Sequence, residues 1–237
     1  MKIRGVILAG GAGTRLYPMT KIFNKSLLPV YDKPMIFYPI KTLKDIGCNE
    51  IMIISGREHS GQIMSQLGSG VEFGLELTYR IQEKPGGIAH ALSLAKDFCN
   101  GASVAVCLGD NIFEDKIDIS DYDGTGAYIF LKSVPDPQRF GVAEVSGDSV
   151  VNIVEKPENP VSDLCTTGLY IYDTYVWNII KQLKPSDRGE LEITDVNNWY
   201  VKNGLMKFKK LEGFWSDAGT PDSLAQATQL VRGNKSD

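Results

Sequence analysis

Over the first 110 residues, short apolar runs alternate with segments of helical periodicity, and this alternation constrains the fold more than any other feature. Residues 3–8 form an apolar run that ends in a glycine-rich segment, the pattern of a buried strand feeding a loop. Pro34 opens a helical pattern through Met35, Ile36, Tyr38, Ile40, Leu43 and Ile46, with Gly47 as its stop. Residues 50–55, 75–82 and 103–108 read as further strands, and 59–67 and 88–98 as the helices between them. Strands separated by helices join in parallel through crossovers, and such a sheet needs cover on both faces. The expected class is therefore α/β, with a mainly parallel central sheet and ligands at the carboxyl ends of its strands.

The second half changes character. Residues 127–134, 142–145, 150–155 and 168–172 read as strands separated by turns that carry proline and glycine, which predicts a smaller antiparallel extension. Helical periodicity returns at 175–183, 193–201 and 223–231, the last announced by Thr220-Pro221-Asp222. No repeat or low-complexity linker divides the chain, and 237 residues suit one large domain.

A net charge of −4 lacks the broad basic footprint by which nucleic-acid binders neutralise phosphates, so no nucleic-acid partner is expected. No stretch approaches the ~20 apolar residues that span a bilayer, and the apolar run at 3–8 is too short for a signal peptide. No membrane partner and a cytoplasmic location are the expectations. Cys48, Cys99, Cys107 and Cys165 show no C-x-x-C spacing and the only histidines are His59 and His90, so zinc is not expected and the cysteines read as reduced, buried hydrophobes.

Directly after the first strand stands Leu8-Ala9-Gly10-Gly11-Ala12-Gly13-Thr14-Arg15-Leu16. Glycines there let successive backbone N–H groups curl closely around phosphate oxygens. Leu16 occupies the place of the third glycine in the dinucleotide fingerprint, and no Gly-Lys-Ser/Thr of a Walker loop follows. Arg15 and Lys25 supply cationic partners that favour a nucleotide polyphosphate over a purely structural turn.

This segment, with Asn24-Lys25-Ser26-Leu27-Leu28-Pro29-Val30 and Lys33-Pro34-Met35, resembles the signature of the sugar-1-phosphate nucleotidyltransferases, and of their short thymidylyl-transferring branch in particular. Seven further blocks continue the resemblance in order: the one from Gln82 to Ala91, Leu108-Gly109-Asp110-Asn111, the one from Asp136 to Val142, Glu155-Lys156-Pro157, Thr167-Gly168-Leu169-Tyr170, the one from Arg188 to Asp195, and Trp215-Ser216-Asp217-Ala218-Gly219-Thr220. It implies a single Rossmann-like, glycosyltransferase-A-like domain over residues 1–237. Residues 1–110 would form its nucleotide-binding half and 111–237 its sugar-phosphate-binding half.

The roles the resemblance implies can be set beside what each residue would mean alone. Asp110 and Asp217, individually turn or cap residues, would be the ligands of a Mg2+ cofactor, which takes oxygen donors and keeps several waters. Gln82 and Gly87, otherwise a strand end and a turn, would read the imide edge of thymine or uracil, which an amide can match. Leu8, Gly10, Gly11, Gly13, Thr14, Arg15 and Lys25 would complete the nucleotide site together with Asp110. Glu155 and Lys156, in isolation a solvated charge pair, would hold sugar hydroxyls and the sugar phosphate, beside Asn111, Gly141, Thr166 and Tyr170. Arg15, Lys25, Asp110, Lys156 and Asp217 would carry the chemistry, with dTTP and glucose 1-phosphate as substrates. One methyl group separates thymine from uracil, a difference of about 1–3 kcal/mol in an apolar pocket, so UTP is a second candidate substrate.

Two departures fall at the site: Ser26 where many relatives carry glutamine, and Cys165-Thr166 where they often have Ala-Val. The sequence also ends before the C-terminal helices that help form a regulatory nucleotide site in longer members, so regulation by that route is not expected. Relatives generally assemble, which makes a homo-oligomer a candidate, although 193–201 with Trp199 and Tyr200 reads better as a core helix than as an interface. The alternatives are a uridylyltransferase or another sugar-1-phosphate nucleotidyltransferase, and an inactive nucleotide-sugar sensor on the same fold.

Overall fold

A computed structural model describes residues 2–233. Nine strands form one continuous sheet: β1 (Ile3–Ala9), β2 (Glu50–Gly56), β3 (Glu76–Gln82), β4 (Ser103–Leu108), β5 (Ala127–Ser133), β6 (Gly141–Ser146), β7 (Ser149–Glu155), β8 (Leu164–Tyr172) and β9 (Met206–Lys210). Strand β1 is central, parallel to β4 on one side and to β2 on the other, with β3 beyond β2. On the far side of β4 the direction reverses. There β8 runs antiparallel to β4 and to β5, and β9 lies parallel to β5 at the edge. The β6–β7 hairpin joins β8 through the Cys165–Val142 pair.

The pleat of β1 divides its side chains between two cores. Val6 and Leu8 pack with Ala89, Leu92, Val196 and Tyr200, contributed by α3 (Ile88–Ser93) and α6 (Ile193–Lys202). Ile7 and Ala9 pack with Ile40, Leu43 and Ile63, contributed by α1 (Phe37–Asp45) and α2 (Ser60–Leu67). Helices α4 (Lys96–Cys99) and α5 (Val176–Gln182) add to the first face, which also takes Tyr170 and Tyr172 from β8. A third cluster seats α7 (Pro221–Gly233): its Ala227 and Val231 meet Leu16, Leu28, Val30 and Met35, so an apolar floor underlies the glycine segment.

The expected α/β architecture is present, and the differences are local. Pro34 does not open a helix: Pro29–Val30 and Lys33–Pro34 form a short antiparallel ribbon. The next N–H groups are already committed, Met35 to the Leu28 carbonyl at 2.9 Å and Ile36 to that of Ser26 at 2.8 Å, so α1 starts only at Phe37. The helix expected over 88–98 is two short helices, because Leu94 and Ala95 bond three residues back rather than four and the turn tightens between them. Strand β8 begins at Leu164, earlier than its apolar run, and β9 was not expected at all. Its Lys207, Lys209 and Lys210 give an edge strand the composition of a loop. Helix α6 serves the core, with Val196 and Tyr200 fully buried. All four cysteines are buried and free of disulfides. Among the described residues, no helix is long and apolar enough to cross a membrane.

Candidate active site

The carboxyl ends of β1 and β4 open onto a cleft of about 730 Å³, whose far wall is built by β6, β7 and β8. Arg15, Lys25, Arg139, Lys156 and Arg188 line it together with Asp110, Glu155, Glu190 and Asp217. A chain whose net charge is −4 thus gathers a majority of cationic groups in this one concavity, as an anionic ligand requires.

Local backbone chemistry shapes the wall formed by the glycine segment. After Ala9 the chain passes through Gly13 in the left-handed region, at φ 63°, and enters a 3-10 turn over Thr14–Leu16. Thr20 Oγ1 donates to the Gly13 carbonyl at 2.7 Å, and a Cβ at Gly13 would stand 2.9 Å from the Thr20 methyl. Asn24, almost fully buried, donates from Nδ2 to the Ala9 carbonyl at 3.1 Å and caps the next turn by accepting from Ser26 N at 2.8 Å. That clamp sets Lys25 against the loop, where its Nζ would be 3.5 Å from a Cβ on Gly11, and Lys25 forms an ion pair with Asp110. Ser26 packs behind Gly109 and does not line the cleft.

Asp110 is only 6% exposed, and both of its carboxylate oxygens have partners, Asn111 and Lys25. Asn111 donates from Nδ2 to Asp110 Oδ1 at 3.0 Å, while its own Oδ1 accepts from Gly168 N at 2.8 Å and Trp215 Nε1 at 2.7 Å. This one amide ties the end of β4 to the wall built by β8 and to the segment that carries Asp217. The same junction is reinforced by backbone pairing of Ile112 with Ser216 and Phe113 with Trp215. Asp217 Oδ2 accepts from Arg139 at 2.9 Å, and Arg139 also pairs with Asp136 at 2.6 Å. Burial works against the Arg139 charge, but hydrogen bonds to both aspartates and their charges outweigh it and hold its pKa above the usual value. Arg15 reaches the same corner: a Cβ on Gly219 would lie 2.9 Å from its guanidinium and 3.4 Å from Asp217 Oδ2.

On the opposite wall, Glu155 Oε2 accepts from Thr194 Oγ1 at 2.6 Å, and Oε1 meets Lys156 at 3.1 Å and Arg188 at 3.4 Å. Gly141 leaves space at this point, since a Cβ there would stand 2.8 Å from Thr166 Oγ1. Thr167, 1% exposed, lines the cleft with no protein partner for its Oγ1. Tyr170 is buried, and burial together with the Glu155 charge pushes its phenol pKa up, so its hydroxyl keeps its proton. Lys156 and Ala218 sit in the left-handed region at φ 44° and 33°, backbone strain of the kind that concentrates at functional sites.

The cleft therefore unites Leu8, Gly10, Gly11, Thr14, Arg15, Lys25, Gly87, Asp110, Asn111, Gly141, Glu155, Lys156, Thr166, Tyr170 and Asp217. Gly13 and Gln82 stand behind that lining; Gln82 Oε1 would lie 2.9 Å from a Cβ on Gly10. Sequence reasoning missed Arg139, Arg188, Trp215 and Asn24. Arg139 and Arg188 both stand inside motif blocks, where an arginine beside glycine or an aromatic residue was the available signal.

The Nucleotidyl transferase family matches residues 4–233. A glucose-1-phosphate thymidylyltransferase of Neisseria meningitidis serogroup A is 42% identical over 97% of this chain and 83% of that enzyme. One from Xanthomonas campestris pv. campestris strain B100 is 44% identical over 96% of this chain and 80% of its own. Among solved structures, a chain assigned as a glucose-1-phosphate thymidylyltransferase from Bacillus anthracis, in complex with a sucrose, superposes with a TM-score of 0.93 at 50% identity, covering 98% of this chain and 96% of that one. A UDP-glucose pyrophosphorylase complexed with UDP-glucose shares the fold at a TM-score of 0.85 and 23% identity, covering 99% of this chain and 100% of that one. Sequence, fold and the gathering of basic side chains around two cleft aspartates agree, and the chain belongs to the nucleotidyl transferase family.

Proposed function

We propose that this chain transfers a thymidylyl group from dTTP to glucose 1-phosphate, giving dTDP-glucose and pyrophosphate. The observation that carries the reading is the arrangement of the cleft: the glycine segment with Arg15 and Lys25 faces the Glu155–Lys156 pair across Asp110 and Asp217. The thymidylyltransferases similar to this chain over nearly its whole length support the choice of substrates.

In the reaction, an ionised oxygen of the sugar phosphate attacks the α-phosphorus in line while the bond to the bridging oxygen of pyrophosphate breaks. The nucleophile is already charged at neutral pH, so the site needs no strong base, and neither histidine lines the cleft. Catalysis rests on positioning and charge. Arg15 and the amides of the glycine segment stabilise the β,γ-phosphates and the leaving pyrophosphate, Lys25 the triphosphate, and Lys156 the attacking phosphate. Glu155 accepts from sugar hydroxyls, and Arg188, paired with it, adds charge beside the sugar phosphate.

Asp110 and Asp217 fit a Mg2+ ion by their chemistry, since both are carboxylates lining the same cleft and Mg2+ takes oxygen donors. These two residues would hold the ion, which keeps several waters and is commonly bound by one or two carboxylates together with substrate phosphates. When bound, the ion would neutralise charge on the phosphates.

Pyrophosphate release with Mg2+ across dTTP, UTP, CTP, ATP and GTP, each with a panel of sugar 1-phosphates and with product masses read, tests the proposal. Product from dTTP, with weaker UTP, and glucose 1-phosphate is the expected result. Turnover only with another sugar overturns the acceptor assignment and points to Cys165 and Thr166, while tight dTTP binding without turnover favours a sensor.

A further inference from the structure

His90 is outside the cleft lining and has no part in the phosphoryl chemistry above, yet it is bonded to the one side chain assigned to the base. Gln82 Nε2 and His90 Nδ1 lie 2.9 Å apart. The pair fits because two glycines make room for it. A Cβ at Gly86 would fall 2.7 Å from His90 Nδ1 and 2.9 Å from its Cγ, and a Cβ at Gly10 would fall 2.9 Å from Gln82 Oε1. The amide is thus held between the imidazole and the backbone of Gly10, a cleft residue, and is 9% exposed.

We infer that His90, with its ring proton on Nε2, is a positioning residue which biases the direction in which Gln82 presents its amide, and thereby sets a preference for pyrimidines carrying N3–H over cytosine. This rests on the reading under Proposed function that the site takes a pyrimidine nucleotide. An amide N–H can donate to Nδ1 only when that nitrogen carries no proton, and Nδ1 is then an acceptor alone. One Nε2 hydrogen is used there. Oε1 and the second hydrogen remain as an adjacent acceptor and donor. That edge matches thymine and uracil, whose N3–H lies beside a carbonyl oxygen. Cytosine offers a bare N3 beside an amino group, so it pairs only if the amide is turned over. Turning it over would set Oε1 against the Nδ1 lone pair unless the ring proton moved from Nε2 to Nδ1, the less favoured neutral tautomer, so the imidazole favours the unturned amide. Without the imidazole, the two orientations lose this difference and the amide can serve either base.

The test is the ratio of kcat/KM for dTTP to kcat/KM for CTP, with saturating glucose 1-phosphate, in the wild type, His90→Leu, His90→Ala and His90→Asn. In the Leu and Ala variants the ratio is expected to fall by up to about tenfold, the scale of one hydrogen bond. In His90→Asn the ratio should fall as well, because an asparagine amide offers Gln82 either an acceptor or a donor, and KM for glucose 1-phosphate should stay at its wild-type value throughout. A loss of rate shared equally by every nucleotide, with the ratio unchanged, would mean that His90 only supports the fold, and the inference fails. A wild type that uses neither dTTP nor UTP overturns the underlying function as well; one that prefers dTTP regardless of the residue at 90 overturns the role of His90 alone.

Discussion

Arg15 illustrates how much a single side chain in this cleft is asked to do. It lies beside Asp217 and over Gly219, where its charge can follow the leaving pyrophosphate but cannot serve the fold by burial, since it lines open space. Arg15→Ala is therefore expected to lower kcat by roughly 10²–10³ with little change in thermal midpoint, the cost of losing one transition-state donor. Steady-state kinetics beside a melting curve checks both halves. Gly141 makes the complementary case on the sugar wall. A methyl there would press to 2.8 Å from Thr166 Oγ1, so Gly141→Ala should raise KM for glucose 1-phosphate about tenfold or more and leave that for dTTP nearly unchanged. Equal rises in both constants would show that Gly141 shapes the whole cleft and not the sugar seat.

At the scale of elements, the glycine segment is held by what lies beneath it. Leu16 is fully buried in the cluster that α7 closes with Ala227 and Val231, so the turn carrying Arg15 stands on a packed apolar floor. Leu16→Ala is expected to cost about 2–5 kcal/mol and, by loosening the turn, to raise KM for the nucleotide more than for the sugar phosphate. Denaturant unfolding and kinetics on the same variant decide it. The edge strand β9 offers a second case. Gly126, at φ 74°, lets the start of β5 pass against the Leu205 carbonyl just before β9. Gly126→Ala combines a strained φ with a backbone clash, and should lower the thermal midpoint by several degrees without altering relative use of the nucleotides. The elements legible in advance were those whose own residues bury a face: β1 to β4, β6, β7 and helices α2, α5 and α6 followed their apolar periodicity. Those missed, the Pro29–Val30 ribbon and β9, are stabilised by partners distant in the chain and carry little periodicity of their own.

For the whole molecule, residues 1–110 and the described residues after them share one sheet and the cores on its two faces. Val6 and Leu8 of β1 pack in the same cluster as Tyr170, Tyr172, Val196 and Tyr200 from the second half, and Asn111 bonds across the junction. Urea unfolding is accordingly expected as one transition, coincident by tryptophan fluorescence and far-UV circular dichroism; two separated transitions would show that residues 1–110 fold independently. The sequence by itself determined the layered architecture, because parallel strands must be covered on both faces and the apolar runs announce it. It also announced one wall of the cleft, because the glycine segment, Arg15 and Lys25 stand close together in the chain. That the two aspartates line one cleft was not legible in the chain and follows from the assembled fold. Asp110 and Asp217 are brought to one cleft by the pairing of Ile112 with Ser216 and by the Asn111 amide, contacts between segments about a hundred residues apart that no local pattern encodes. The Arg139–Asp217 pair is a further contact of this kind, and the Gln82–His90 pair, though close in the chain, depends on the room that Gly10 and Gly86 leave around it. Each is a contact between polar side chains, whose value depends on burial and on which neighbours the fold supplies, and those are properties of the assembled core.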